Sequence, residues 1–446
     1  MAVRCALKNC GFEKLCRSAE RCGEVQMKKE IKKSLFAFFS ILLTVAICVL
    51  AVGCAGEGGT ETTLGTLPTE TTDSSTTGTG ETTNDGTSTS GTTSGGGGTV
   101  NPPVGDYINP LTGEPTTKNL SNTRPVAIVV DNIASAYEYQ TGLDQADILY
   151  EALVAPGITR FLMVVADYTT VDSVCNIRSG RDYHLDLAAY HNAVLVAHGG
   201  SKTQNYDFYE LAEERYGSRW GYVDSMFEPW FAHADKGEQY GTIDHYGERP
   251  NELNYDTIFK PAALTALLNS SASYFVKAGG TITGTPKQSL EFVPYGTEKS
   301  MAGASDATTI DLEFTCQGVS ELGKMVSFRY DAATDKYLRY QDGAAHVDSE
   351  TGRQLSFTNV ITLFTDVENA KTGLSNDPDM ARVDTRGNGT GYYFYGGKVI
   401  EITWSSDGSN LTLTDPLGAE LTLATGNTYI GYLDNDYIYG GEAFWS

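Results

Sequence analysis

The chain has 446 residues, 40% of them hydrophobic, and its 32 Lys and Arg against 56 Asp and Glu give a formal net charge of −24. Such acidity repels nucleic acid and anionic lipid headgroups, so no nucleic acid is expected as a partner, and the length allows about three domains. Eight cysteines, four of them before residue 27, exclude a disulfide framework.

Cys5, Cys10, Cys16 and Cys22 lack the CxxC spacing of ordinary zinc sites, and Met27-Lys28-Lys29 looks like a start. Residues 1–26 are therefore read as an upstream extension. Residues 27–53 follow the order of an export signal: four lysines between Lys28 and Lys33, a charge-free apolar run from Leu35, then small residues before a cysteine. Ala51-Val52-Gly53-Cys54 resembles a lipobox, which makes Cys54 the expected lipidation site. The expected location is the outer side of the cell membrane, held by a lipid anchor. The alternative is an uncleaved anchor, since the 20 residues from Ser34 to Gly53 just suffice to span a bilayer.

Residues 54–105 are almost wholly Thr, Gly, Ser and Glu without apolar periodicity, and read as a disordered stalk that cannot recover its ordering entropy by burial. At about 5–6 Å × √n such a stalk spans roughly 40 Å, and about 170 Å fully extended. Without the nine basic and four acidic residues of 1–53, 23 basic and 52 acidic residues remain, a net charge near −29. Cys175 and Cys316 are read as two unpaired thiols rather than one bridge.

Globular patterning follows. The runs 124–132, 146–154, 159–167 and 192–200 predict strands, the first, third and fourth nearly continuous in Val, Ile, Leu and Ala as buried strands are. Helices are predicted within 178–191, with Ser179 as N-cap and Asp182 three residues on, and within 208–217 and 257–271. Residues 106–278 thus form an α/β domain. Beyond it Gly, Thr and Pro cluster, helical signals stop, and alternating segments split by turn residues predict an antiparallel sheet or partial barrel over 279–446. The fold class is α+β, an N-terminal α/β domain followed by a mainly antiparallel β domain.

NPLTGEP (109–115), RPVAIVVDN, TGLDQADILYEALVAPGITRF (141–161), RSGRDYHLDLA, HGGS (198–201), YLRYQDGAAHVDSETGRQL, NVIT, GGKVIEITW and TGNTYI occur in that order. At these residues the chain resembles the YerB-like family of bacterial lipoproteins. The resemblance implies a two-domain envelope lipoprotein and brings no reaction with it. One departure is Pro250-Asn251-Glu252-Leu253, where the family usually carries a histidine after the proline.

The richest constellation is Arg160, Arg178, Arg181 and Asp182. Guanidinium forks suit carboxylate or phosphate, and a helix N-terminus adds unpaired amides. The structural alternative pairs Arg178 and Arg181 with Asp147, Glu151 or Asp182, and in that case Arg181 is expected to contribute more stability than Arg178. A second group is His198, Gly199, Gly200 and Ser201 at a strand end, where α/β sheets place ligand loops, although no G-x-S-x-G elbow accompanies it. Asp131 with Asn132, Asp167 and Glu151 also end strands, but without an EF-hand loop. His233, Asp235, Asp244, His245 and Glu248 lack a helical His-x₃-His arrangement. The loop with His346, Asp348 and Arg353 reads as a hairpin held by local hydrogen bonds, and Trp220, Phe227, Trp230 and Phe231 as packing between domains. No metal and no cofactor is expected.

These residues favour a non-catalytic binding or regulatory module of the cell envelope, with an anion-binding cleft between its domains and a cell-wall component or wall-synthesis protein as partner. The alternative is a hydrolase or transferase acting on an anionic wall polymer. A solute-binding protein is disfavoured because the two halves are unlike.

Overall fold

The computed structural model describes residues 105–202, 207–228, 230, 257–316, 319–370, 380–435 and 441–446. The upstream extension, the export signal, Cys54, the stalk before residue 105, Phe231, the 233–253 segment and the side chain of Cys316 lie outside the described residues.

In the first half, β1 (Val126–Asn132), β2 (Ile148–Ala155) and β3 (Ile158–Val165) precede α1 (Asp182–Ala189), β4 (Val194–Ala197), α2 (Phe208–Tyr216), β5 (Val223–Asp224) and α3 (Pro261–Leu268). Every residue of β1 is buried, as its unbroken apolar run requires of a strand covered on both faces. Each of its Val and Ile side chains contributes about 1.5–3 kcal/mol by leaving water. Asp207 caps α2 by accepting from Tyr209 N–H, Gly217 ends it in the left-handed region, and Pro261 opens α3 at N1, where its missing N–H costs nothing.

The second half supplies β6 (Ser305–Asp306), β7 (Thr309–Cys316), β8 (Val319–Asp331), β9 (Lys336–Gln341), β10 (Asn359–Thr365), β11 (Val367–Ala370), β12 (Met380–Val383), β13 (Gly387–Tyr395), β14 (Lys398–Ser406), β15 (Leu411–Thr414), β16 (Thr428–Asp434) and β17 (Glu442–Trp445). Alternating burial along β9 and β14 marks strands with one face on the core.

Strands and few helices make up the described residues, and the halves are not separate sheets. One eleven-stranded sheet runs β6-β14-β13-β10-β16-β2-β3-β1-β4-β5, with β15 against β14. β16 joins the halves, parallel to β2 on one side and β10 on the other. The boundary drawn at 278/279 therefore divides the chain but not the sheet. A second sheet centred on β9-β8-β7-β17 packs across it, with Phe328 against Tyr429 at 4.8 Å between ring centres. Among the described residues no helix is long and apolar enough to cross a membrane.

Candidate functional site

Period-two alternation sends neighbouring residues of a strand to opposite faces, so the end of β1 builds two polar centres back to back. Asp131 lies beside Arg160 in the β1–β3 register, and Asn132 beside Thr159. Asp131 turns toward the arginines of the α1 end, and Asn132 toward the second sheet.

On the first face Arg178 Nε donates to Asp131 Oδ2 at 2.9 Å, and Arg160 Nη2 stands 3.8 Å from Oδ1. Arg160 Nη1 also donates to Ser179 O at 2.7 Å, the carbonyl that Arg181 Nη1 reaches at 3.4 Å. Arg181, not Ser179, is the N-cap of α1, and its backbone N–H donates to His184 Nδ1 at 2.9 Å. That bond fixes His184 as the Nε2–H tautomer. Burial, then the neighbouring Arg160 and Arg181, push this histidine well below its usual pKa, so it is neutral. Burial and the repulsion of Arg181 also pull Arg160 down to about 9, against the opposite pull of Asp131.

Two guanidinium groups thus meet the Asp131 carboxylate, and a third, Arg181, shares the Ser179 carbonyl with Arg160. Asp182 does not balance them, since its Oδ2 pairs with Arg382 at 3.1 Å. Asp147 and Glu151 are likewise engaged elsewhere, the first with Asn109 and the Ala166 amide, the second with Arg339. Arg160 Nε, Arg181 Nε and His184 Nε2 are buried donors with no hydrogen-bond acceptor. Arg178 rather than Arg181 holds the ion pair with Asp131.

The His198–Ser201 loop serves the same end of the sheet structurally. Residues 178–180 wedge between the ends of β1 and β4: Arg178 N–H donates to Val129 O, His198 N–H to Arg178 O, and Gly180 N–H to Gly199 O. A Cβ on Gly200 would stand 2.1 Å from the Phe208 ring, and one on Gly180 2.6 Å from it, so both glycines let two backbones close over that ring. His198 turns its Nδ1 to Ser225 Oγ at 2.9 Å. Ser225 is only 1% exposed, and the nearby Asp224 is spent on the Gly199 and Met226 amides.

A cavity of about 320 Å³ opens between α1, α2 and the β11–β12 hairpin. Of the predicted site residues only Asp182 lines it, and six carboxylates there face three arginines. The cleft between the halves is therefore acidic.

Two family models match the chain, both described as protein of unknown function (DUF3048): the N-terminal domain over residues 111–219 and the C-terminal domain over 317–430. The chain belongs to the DUF3048 family. YerB of Bacillus subtilis (strain 168), named as a candidate lipoprotein, is 27% identical over 341 residues, covering 75% of this chain and 89% of YerB. The crystal structure of YerB covers 76% of this chain and all of its own, with a TM-score of 0.58 and 21% identity, a likeness of fold.

In this DUF3048 chain the arginine group lies wholly within the N-terminal model, whereas the second polar centre draws on both. Glu151 of β2 and Arg339 of β9, both 0% exposed, pair at 2.6 Å across the two sheets. Glu151 also accepts from Asn132, Thr159 and Tyr429 at 2.9, 2.5 and 2.7 Å. Burial favours its protonation, but Arg339 and Lys324 outweigh burial and hold its pKa below the usual value. Lys324 Nζ donates to Asn132 O at 2.8 Å and to Tyr137 OH at 2.5 Å, and burial pulls its pKa down to about 8. Arg339 donates to His346 Nδ1, leaving Nε2–H to bond Gln140 Oε1 at 2.8 Å. The loop around His346 is not a local hairpin alone. Asp348 accepts from Gly142 N–H at 2.5 Å, Ser349 N–H donates to Gln140 O, and Arg353 pairs with Asp144, so the loop clasps residues 140–144.

The predicted carboxylates scatter: Asp131 to Arg178, Glu151 to Arg339, Asp167 to Lys118. Among the described residues no group of three or more His, Cys, Asp or Glu is placed to hold a metal. Buried Lys324, Arg339 and Gln341 went unnoticed in the sequence. Alternation along 336–341 was the available signal, because it puts Arg339 on the same face as Tyr337 and Gln341 rather than with the solvent-facing residues.

Proposed function

We propose that this protein is a membrane-anchored extracytoplasmic lipoprotein that binds an anionic ligand through Arg160, Arg178 and Arg181, as a non-catalytic binding or regulatory module of the cell envelope. The export signal ending at Cys54 and the naming of YerB support the anchor. One observation carries the anion site. Arg160 and Arg178 meet the Asp131 carboxylate with Arg181 beside them and no carboxylate of its own, and buried N–H groups of Arg160, Arg181 and His184 lack acceptors among the described residues. An unpaired buried donor costs about 1–3 kcal/mol, a cost that a phosphate or carboxylate oxygen removes on binding. Phosphodiester or carboxylate groups of a wall polymer have the matching chemistry, and the stalk raises their effective concentration.

The hydrolase or transferase alternative has less support: Asp131 and Asp182 are ion-paired to Arg178 and Arg382, and the serine that meets His198 is 1% exposed. The binding reading is tested with the full chain and inorganic polyphosphate as probe, by titration calorimetry. Arg178→Ala and Arg181→Ala should each weaken binding about tenfold or more, as loss of a charge-assisted pair does. Binding untouched by both substitutions contradicts the site. For the anchor, Cys54→Ala should release the protein from membranes or leave it unprocessed, and normal processing with unchanged attachment contradicts it.

A further inference from the structure

The start of the described chain forms part of a second groove that the arginine site does not use. Tyr107 and Ile108 pair with residues 115–116 and, with Asn119, Gln288, Phe292 and Tyr295, line an open depression of about 580 Å³. Tyr107, Ile108 and Tyr295 are 41%, 56% and 36% exposed, a cluster of large apolar groups left in water. Isolated exposed apolar residues need no explanation, but a contiguous group around a concavity marks a binding surface.

Charge decides its occupant. None of the fifteen described lining residues carries a charge at neutral pH, although the chain has 56 acidic and 32 basic residues. The polar groups present are amides and hydroxyls. Asn119 is exposed and its Oδ1 accepts from Ser121 N–H and Oγ–H, so its NH₂ keeps its donor capacity. Tyrosine offers a flat apolar face with a wet hydroxyl edge, suited to a ligand whose own faces are apolar and whose edges are polar. Sugar rings have that character: C–H faces that stack and hydroxyl edges that hydrogen-bond. A charged polymer would be desolvated here with nothing to pair it.

We propose that this groove binds an uncharged glycan, with Tyr107 and Tyr295 stacking on sugar faces and Asn119 and Gln288 holding hydroxyl or acetamido groups. It lies on the side where β1 begins and where the chain enters the folded body, while the arginine group lies beyond the other end of β1. One face of the protein thereby engages neutral sugar and the other an anion. Tethering holds the groove near a surface, so a weak affinity suffices.

The test is calorimetry of the full chain with a hexamer of β-1,4-linked N-acetylglucosamine, alongside Tyr107→Ala, Tyr295→Ala and Asn119→Asp. Binding by the unaltered protein, weakened at least about fivefold by either tyrosine truncation and unchanged by Arg178→Ala, supports the assignment. These exposed side chains carry little packing, and an unchanged melting temperature certifies the fold of each variant. Absence of sugar binding overturns it. So does sugar binding that survives both tyrosine truncations, or binding that appears only after residues 54–104 are removed, which would make the chain's own segment the occupant. A shift in oligomeric state caused by Tyr107→Ala without any sugar effect also overturns it, in favour of a contact between copies.

Discussion

Removing Arg339 tests whether the two halves are held by one buried charge pair. In Arg339→Ala the Glu151 carboxylate keeps Thr159, Asn132 and Tyr429 and the more distant charge of Lys324, but loses the one ion pair it makes among the described residues, at 2.6 Å. Stranding a buried charge costs about 3–5 kcal/mol, to which the vacated guanidinium volume adds. At about 2 °C per kcal/mol for a body of this size, melting should fall by roughly 6–10 °C in scanning calorimetry. The pH dependence separates this cause from simple loss of packing. In the native protein the pKa of Glu151 is depressed, so its stabilisation is present above the unfolded value of about 4.3 and is lost as pH falls through the folded value. In the variant, burial without Arg339 raises that pKa, so protonation relieves the strain on acidification. The gap between variant and native protein should therefore narrow as pH falls from neutrality into the acid range. A gap that stays constant across that range refutes the stranded-charge reasoning, and a melting temperature within about 2 °C of native refutes the clasp itself.

Lys324, with a folded pKa of about 8 against about 10.4 unfolded, binds fewer protons in the native state between those values, so stability should rise with pH from 8 to 10. Lys324→Met should flatten that slope in urea melts, and an unchanged slope would assign it to other groups. Arg178→Ala should cost more stability than Arg181→Ala, since only Arg178 holds Asp131 at 2.9 Å, while removing Arg181 relieves its repulsion of Arg160. The opposite order in thermal melts would mean that Arg181 carries the structural pair. Gly200→Ala should destabilise by several kcal/mol, because its Cβ would enter the Phe208 ring at 2.1 Å; a near-native melting temperature would show that Phe208 can withdraw.

The strands of the first half were legible because buried strands read as unbroken apolar runs, and 126–132 and 158–165 stand where Val, Ile and Leu accumulate. The α1 start was misplaced by two residues because serine outranks arginine as a cap, whereas here His184 supplies the cap's acceptor. β16 escaped notice since its seven buried residues include Gly431 and two tyrosines, a pattern without period-two alternation. Missing that strand hid the union of the halves in one sheet. The arginine group was recognisable from its spacing beside a helix start, but its partner was not. Asp131 and Arg178 lie 47 residues apart, and only the β1–β3 register and the wedge at 178–180 bring them together. The loop with His346 read as a hairpin held by local hydrogen bonds because nothing local shows that it folds back onto residues 140–144.

The anion site is tested most directly by the melting temperature of the full chain in rising inorganic phosphate, set against chloride at matched ionic strength. Ligand binding to the native state alone stabilises by about 2.7 kcal/mol at a hundredfold excess over Kd, which is roughly 5 °C here. The unaltered protein should melt progressively higher in phosphate than in chloride, and Arg178→Ala and Arg181→Ala should lose that difference. A melting temperature that follows ionic strength alone, or a phosphate effect that persists in both variants, would contradict an anion site at the end of β1.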